Sequence, residues 1–402
     1  MNHKTSILRL PALAALITAT LSLSACNKDL ASDPTVISSA QQSEDIQSPI
    51  PTSPGAMVIP ASNTMSASKV ELGRMLFFDP NISIRSKDAS VISCASCHLS
   101  TKAFSDNRSV SPGIDGKLGT RNAPTLINVA YNTAYTWDGK FKSLEEHAPG
   151  PMFSPVEMGN NFSNDPRDTS HSGYQSDPGQ NDTLLLFKRL MDANSTQYTV
   201  LLTNAYGEAK FSLDRIVKAL ACFERTIVSN GSPFDSYNQY LHNQGGNKNA
   251  INESAKRGFK IFIDANGANC VSCHSGYNFT DGGFHNNGLD HSLAKPMDDI
   301  GYGAVTKLSS DKYKYKVPTL RNVAITGPYM HDGRFTTLDE VVTQYNNGGS
   351  HSLNQDPRIH ALNLSAQDKA DLIAFLQSLT DGQATAASNQ MLAPPLDASR
   401  TR

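Results

Sequence analysis

Little in this chain points to nucleic acid, to a membrane-spanning body or to a disulfide scaffold. Lysine plus arginine nearly balance aspartate plus glutamate, for a formal charge of −2, and no basic run marks a nucleic-acid surface. After the first 26 residues no stretch is long and apolar enough to form a membrane helix. Cysteine is scarce, at six residues, and tryptophan occurs once. Four of the cysteines fall into two short motifs, Cys26 ends the N-terminal apolar stretch, and Cys222 stands alone. No pair is left over for a structural disulfide.

Those two motifs are the strongest signal. Cys94-Ala-Ser-Cys97-His98 and Cys270-Val-Ser-Cys273-His274 both have the form C-x-x-C-H. A bare C-x-x-C would admit zinc or thiol redox chemistry. With a trailing histidine it is the attachment site of heme c: two thiols add to the porphyrin vinyl groups and the imidazole binds iron from below. Two such strings, each inside a longer repeat, predict two hemes c, held by Cys94, Cys97 and His98 and by Cys270, Cys273 and His274.

The N-terminus predicts export. Lys4 and Arg9 precede the apolar stretch Pro11 to Leu23, too short for a bilayer and followed by small residues. Its end, Leu23-Ser-Ala-Cys26, resembles the lipobox of bacterial lipoproteins, which implies a lipidated Cys26 and a periplasmic, membrane-anchored protein; the alternative is ordinary cleavage beside an incidental cysteine. Residues 27–66, rich in Ser, Pro, Gln, Asp and Ala, read as a flexible tether spanning roughly 35 Å as a coil. The remainder suits two domains, 67–230 and 231–385, with a tail over 386–402.

Internal similarity supports that division. Pro124-Thr-Leu-Ile-Asn128 matches Pro318-Thr-Leu-Arg-Asn322, Trp137-Asp-Gly-Lys-Phe141 matches His331-Asp-Gly-Arg-Phe335, and Leu144-Glu-Glu146 matches Leu338-Asp-Glu340. The offset is 194 throughout (318 − 124), but 176 between the heme motifs (270 − 94), so the second half carries about eighteen extra residues between motif and repeat. At offset 194 Trp137 faces His331, and Pro151, which cannot bind iron, faces Tyr345, which can. One iron is therefore expected closed and the other open. The fold class expected is mainly α: two cytochrome c-like heme domains in tandem with long loops. Helices are expected over 211–229, where Leu213, Ile216, Val217, Leu220 and Ile227 recur at helical spacing around a buried Cys222; over 253–264, leading into the second heme motif; and after the N-cap signature Ser365-Ala-Gln-Asp368. Residues 159–182 read as a surface loop containing His171, and His242, His285, His291, His351 and His360 as surface residues.

From about Leu72 to Leu379 the chain resembles the bacterial diheme cytochrome c peroxidases and the MauG enzymes. The resemblance rests on the two heme motifs, Arg121-Asn-Ala-Pro124, Trp137-Asp-Gly139, Gly150-Pro-Met-Phe-Ser-Pro-Val-Glu-Met158 and Pro328-Tyr-Met-His-Asp-Gly333. It implies a peroxide site at the first heme, with His98 as proximal ligand, Glu157 as the carboxylate that moves peroxide protons, Pro151 as the distal proline at a vacant iron face and Trp137 between the hemes. Ile114 falls where many relatives carry a blocking histidine, implying a site ready for peroxide. His147 replaces a glutamine; it either bonds peroxide or faces solvent, with iron ligation as a third option. At the second heme, His274 and Tyr345 are the implied ligands, Tyr345 standing where many peroxidases have methionine; Met330 competes but aligns away from that slot. The resemblance also implies Ca²⁺ on the Asn122 side chain and the Thr326 and Pro328 carbonyls. Expected partners are hydrogen peroxide, an electron-donor cytochrome c or cupredoxin, and a second copy in a homodimer. A MauG-like oxidation of a protein or organic substrate is the alternative, and a pure electron-transfer cytochrome is a third reading.

Overall fold

The computed structural model describes residues 46–84, 91–160, 183–289 and 299–382. The export segment with Cys26, most of the expected loop with His171, His291 and the C-terminal tail lie outside the described residues. Within them the chain is mainly helical, as expected. The first half contains α1 (Ala67–Phe78), α2 (Leu144–His147), α3 (Pro149–Phe153), α4 (Thr183–Tyr206) and α5 (Leu213–Glu224). The second contains α6 (Pro233–Leu241), α7 (Glu253–Ile263), α8 (Gly303–Thr306), α9 (Leu338–Asn346) and α10 (Ala366–Gln377), plus an antiparallel pair, β1 (Phe284–His285) with β2 (Tyr315–Lys316).

Local sequence starts these helices where their caps stand. Ser365 accepts from the Asp368 amide at 3.1 Å while the Asp368 carboxylate takes the Ser365 amide at 3.0 Å, so the predicted capping pair opens α10. Ser212 caps α5 on the Arg215 amide, and Thr337 with Glu340 forms the same reciprocal cap on α9.

Each half is organised by one helix crossing. A Cβ on Gly73 of α1 would lie 1.9 Å from the Ala219 carbonyl oxygen of α5, and one on Gly258 of α7 would lie 1.9 Å from the Asp371 oxygen of α10. Only glycine lets the two backbones meet so closely. The crossings therefore align α5 with α10 at an offset of 152 (371 − 219), pairing Leu220 with Leu372 and Phe223 with Phe375. An independent contact gives the same register: the Asn128 amide donates to Ile227 at 2.9 Å and the Asn322 amide to Leu379 at 3.0 Å. Around the crossings lie two apolar cores, one built on Phe77, Phe104 and Phe223 and the other on Phe234, Phe259, Phe262 and Phe375. Cys222 is fully buried on α5, as expected, its Sγ 3.5 Å from Asn63.

The expected tether differs from residue 46 onward. Ile50 is buried in the second-half core, and Ser48 donates to Asn238 of α6 at 2.5 Å. Further along, the Val58 amide donates to Ala130 at 2.8 Å, and Asn63, fully buried, donates to Glu145 at 2.6 Å and to the Lys218 carbonyl at 3.0 Å. This strap fastens to both halves with isolated anchors on extended backbone, which leave no periodic signal in a Ser/Pro-rich stretch.

Candidate functional site

Each heme motif forms a single tight turn, Cys94–Ser96 and Cys270–Ser272, closed by His98 N–H to Cys94 at 3.0 Å and His274 N–H to Cys270 at 2.9 Å. The turn brings both thiols and the imidazole to one wall. A carbonyl from a left-handed phenylalanine then fixes each ring: His98 Nδ1 lies 2.9 Å from Phe104 O, and His274 Nδ1 2.9 Å from Phe279 O. An Nδ1–H engaged this way leaves Nε2 unprotonated for a metal, and burial holds both histidines below their ordinary pKa, hence neutral. The thiols are unpaired with one another. Burial pushes Cys270 up to about 12 and Cys94 further, which disfavours the thiolate that zinc or redox chemistry requires.

Both walls open on one continuous cavity of about 640 Å³. Two thiols and a free Nε2 on each side, facing apolar walls, fit a covalently attached heme in each half.

The first-half lobe gathers the residues predicted for it. Pro151 of α3, His147 at the end of α2, and Glu157 all line it. Glu157 follows a turn in which Ser154 Oγ accepts the Glu157 amide at 3.2 Å. Its carbonyl accepts the Ile114 amide at 2.7 Å, and Gly113 approaches so closely that a Cβ there would meet the Val156 oxygen at 1.8 Å. Ile114 is thereby buried against Ile84. The Glu157 side chain stays open toward the cavity, while protein crowded around its carboxyl raises the pKa against the lowering effect of Ser154.

His147 faces the cavity rather than bulk solvent. It packs between Tyr135, with ring centroids 6.5 Å apart, and Phe141 at 5.3 Å. Burial, helped by nearby His98, lowers its pKa to about 4, so the ring is neutral.

Trp137 sits on the boundary between the halves. Its Nε1 donates to Asn122 O at 2.9 Å, and its carbonyl accepts the Lys316 amide at 2.8 Å. The indole meets His331 edge-on at 6.5 Å, and His331 stacks on Tyr315 at 3.7 Å. Beside them Arg121 clasps Asp299 through two 2.7 Å bonds and Asp138 at 2.8 Å. Asn122, Thr326 and Pro328 line the same cavity, with Asn122 Nδ2 donating to Arg108 O at 2.6 Å.

The second-half lobe corrects one expectation. Tyr345 projects from α9 into it, as does Met330, and Asn287 Nδ2 lies 3.3 Å from the Tyr345 hydroxyl and 3.5 Å from the Met330 sulfur. Met330 is therefore not away from the slot. The aligned Thr136 shares its left-handed backbone, φ 66° against 75°, so the difference lies in the side chain: the longer thioether reaches Asn287 beside Tyr345. His285 is likewise no free surface residue: it lies 2.9 Å from both Asp281 and Asp356, beside Cys273. His351 and His360 are exposed, while His242 is half-buried against Ile50 O at 3.0 Å.

Four participants were missed. Asp299 and Asn287 come from the segment lengthened by the eighteen extra residues, which has no counterpart to signal them. Lys316 lines the cavity, its pKa lowered to about 8 by burial. Glu224 also faces the cavity. Its signal was present, an acid one turn after Leu220 on the buried stripe of α5.

Similarity to known proteins agrees with this geometry. Residues 67–243 match the family described as di-haem cytochrome c peroxidase, and residues 255–380 match cytochrome c. The methylamine utilization protein MauG of Methylophilus methylotrophus is 36% identical over 331 residues, covering 82% of this chain and 87% of that protein. The chain belongs to the diheme cytochrome c peroxidase/MauG family. Another relative, cytochrome c551 peroxidase of Nitrosomonas europaea, is 32% identical over 325 residues, 81% of this chain and 84% of that protein. The crystal structure of a MauG-like protein associated with microbial copper homeostasis superimposes with a TM-score of 0.69 at 29% identity, covering 90% of this chain and all of that one. Membership implies two hemes c, a peroxide substrate and an external electron donor. No helix among the described residues is long and apolar enough to cross a membrane.

Proposed function

We propose that the protein is a periplasmic diheme peroxidase that reduces hydrogen peroxide at the first-half heme. Electrons come from a small redox protein, a cytochrome c or a cupredoxin, by way of the second-half heme. The observation that carries this reading is the unequal lining of the two lobes: Pro151 and Glu157 on one side, Tyr345 at the matching place on the other. The iron supplies the electrons and the binding site for peroxide. Around it, Glu157 accepts the proton from one peroxide oxygen and returns it to the other, and its raised pKa suits it to both directions. Neutral His147 offers a hydrogen bond without competing for that proton. His98 and His274 would hold the two hemes' irons, and Tyr345 would add a ligand to the second. Trp137, bonded to both halves, bridges the hemes. Ca²⁺ on Asn122, Thr326 and Pro328, lipidation of Cys26 and a homodimer belong to the same reading.

Tyr345 also favours a second reading, a MauG-like enzyme that spends peroxide on a protein or organic substrate, since a phenolate favours the oxidised metal where a thioether favours the reduced one. Resting-state EPR followed by peroxide addition tests the common part. A high-spin signal that peroxide consumes, beside a low-spin signal, is expected; two low-spin signals indifferent to peroxide would refute it. Fast turnover with reduced cytochrome c then selects the peroxidase, and slow turnover with covalent change in a partner selects the alternative.

A further inference from the structure

The crossing register pairs α5 with α10 residue by residue, Leu213 falling on the cap Ser365. Residue 224 corresponds to 376 (224 + 152), and both line the cavity. In the second half this position is Leu376; in the first it is Glu224. The fold therefore asks only for an apolar side chain here. Glu224 follows Ile216, Leu220 and Phe223 on the buried stripe and is itself 8% exposed. Its carboxyl faces the cavity and has no hydrogen bond or ion pair to another described residue. The guanidinium of the next residue, Arg225, is taken up by Glu145 at 2.8 and 2.9 Å and by Val58 O at 3.0 Å. A buried, unpartnered acid replacing leucine has no structural reason to be there.

We propose that Glu224 is the charge-compensating acid of the first-half heme, taking up a proton when that heme is reduced and releasing it on reoxidation. The step balances simply. One electron from the donor converts ferric to ferrous iron, the Glu224 carboxylate binds one proton from water, and the net charge of the lobe is unchanged. In a low-dielectric cavity an uncompensated electron is costly, so the coupling eases its arrival. It also leaves a proton beside a site where each peroxide consumes two. Burial pushes the carboxyl up to about 8, within reach of the shift a change of iron charge would impose.

The surrounding charges are few. Arg225 on its own helix lowers the pKa and Glu145 of α2 raises it, while Tyr135 and the Cys94 turn feel its charge in return. His147 of α2 is neutral. Helix α1 packs against α5 with Leu72, Leu76 and Phe77; its Glu71 and Arg74 pair with each other, and Lys69 donates to Asn63 and Thr64.

The purpose of this acid rests on the first half being the peroxide site, but its titration does not, so the two fail separately. The test is redox potentiometry of each heme across the neutral pH range in the full diheme protein, for wild type, Glu224→Gln and Glu224→Leu. Wild type should show the first-half potential falling with pH by close to one proton per electron. Both variants should lose that slope, and the second-half heme should be indifferent to either. An unchanged slope in Glu224→Gln, which fills the same space but cannot ionise, overturns the proposal. Wild-type protein inert to peroxide would instead sink the peroxidase reading while leaving the slope interpretable.

Discussion

In the first half α1 meets α5 at Gly73; in the second α7 meets α10 at Gly258. Each half then repeats a heme turn, a left-handed phenylalanine holding the histidine, and a left-handed asparagine whose amide reaches a carbonyl just past the end of the crossing helix. Beyond the segment lengthened in the second half, the halves part company where side chains face the cavity: Glu224 against Leu376, Trp137 against His331, Pro151 against Tyr345. What is shared builds a heme pocket, and what differs is the set of side chains offered to each pocket. A duplicated fold carries its own control, because one copy shows what the other needs merely to fold.

That comparison can be broken at several points. The largest effect is expected from Cys94→Ala with Cys97→Ala, which should remove the first covalent heme, halve the heme stain and abolish reaction with peroxide while the second heme remains. Removing Cys270 and Cys273 should instead leave a peroxide-reactive but electron-starved protein. Next, Glu157→Gln should slow turnover by about 10²–10⁴-fold with both heme spectra intact. The carboxylate is the active base and burial raises its pKa, so wild-type turnover should decline with falling pH from above the ordinary glutamate range; stopped-flow profiles lacking that limb in wild type would remove Glu157 from the mechanism. Tyr345→Met should raise the second heme's potential and Met330→Leu should not; the opposite pattern would make Met330 the ligand. The smallest effect should come from Gly73→Ala and Gly258→Ala, each costing about 1–3 kcal/mol as the crossing helices are forced apart. Denaturation followed at each heme band should show each change weakening its own half first.

Much of this was legible in the residues. The heme turns, the capped start of α10, the buried Cys222 and the mainly helical plan follow from short-range chemistry, which a sequence displays directly. The lining of the first lobe by Glu157 and Pro151 followed from the family resemblance carried by the nine residues Gly150–Met158, well removed in sequence from the heme motif. The rest depends on distant chain meeting distant chain. The Arg121–Asp299 clasp joins residues 178 apart, and the Asn287 amide donates to both Met330 and Tyr345. Met330 was misplaced because alignment compares positions and not reach: Thr136 has the same left-handed backbone, but only the longer thioether comes to Asn287 beside Tyr345. Glu224 lay in plain view, yet its meaning needed the register that the glycine crossings and the two asparagine amides supply.

The strap has a consequence for electron flow. Tunnelling between cofactors weakens steeply with separation, so a joint that breathes would make transfer erratic. By driving Ile50 into one lobe's interior and Asn63 into the other's, the leading segment works as a stitch across the seam. A nick near Thr52 would leave both porphyrins in place but loosen the seam between them, and intramolecular transfer should slow before either pocket unfolds.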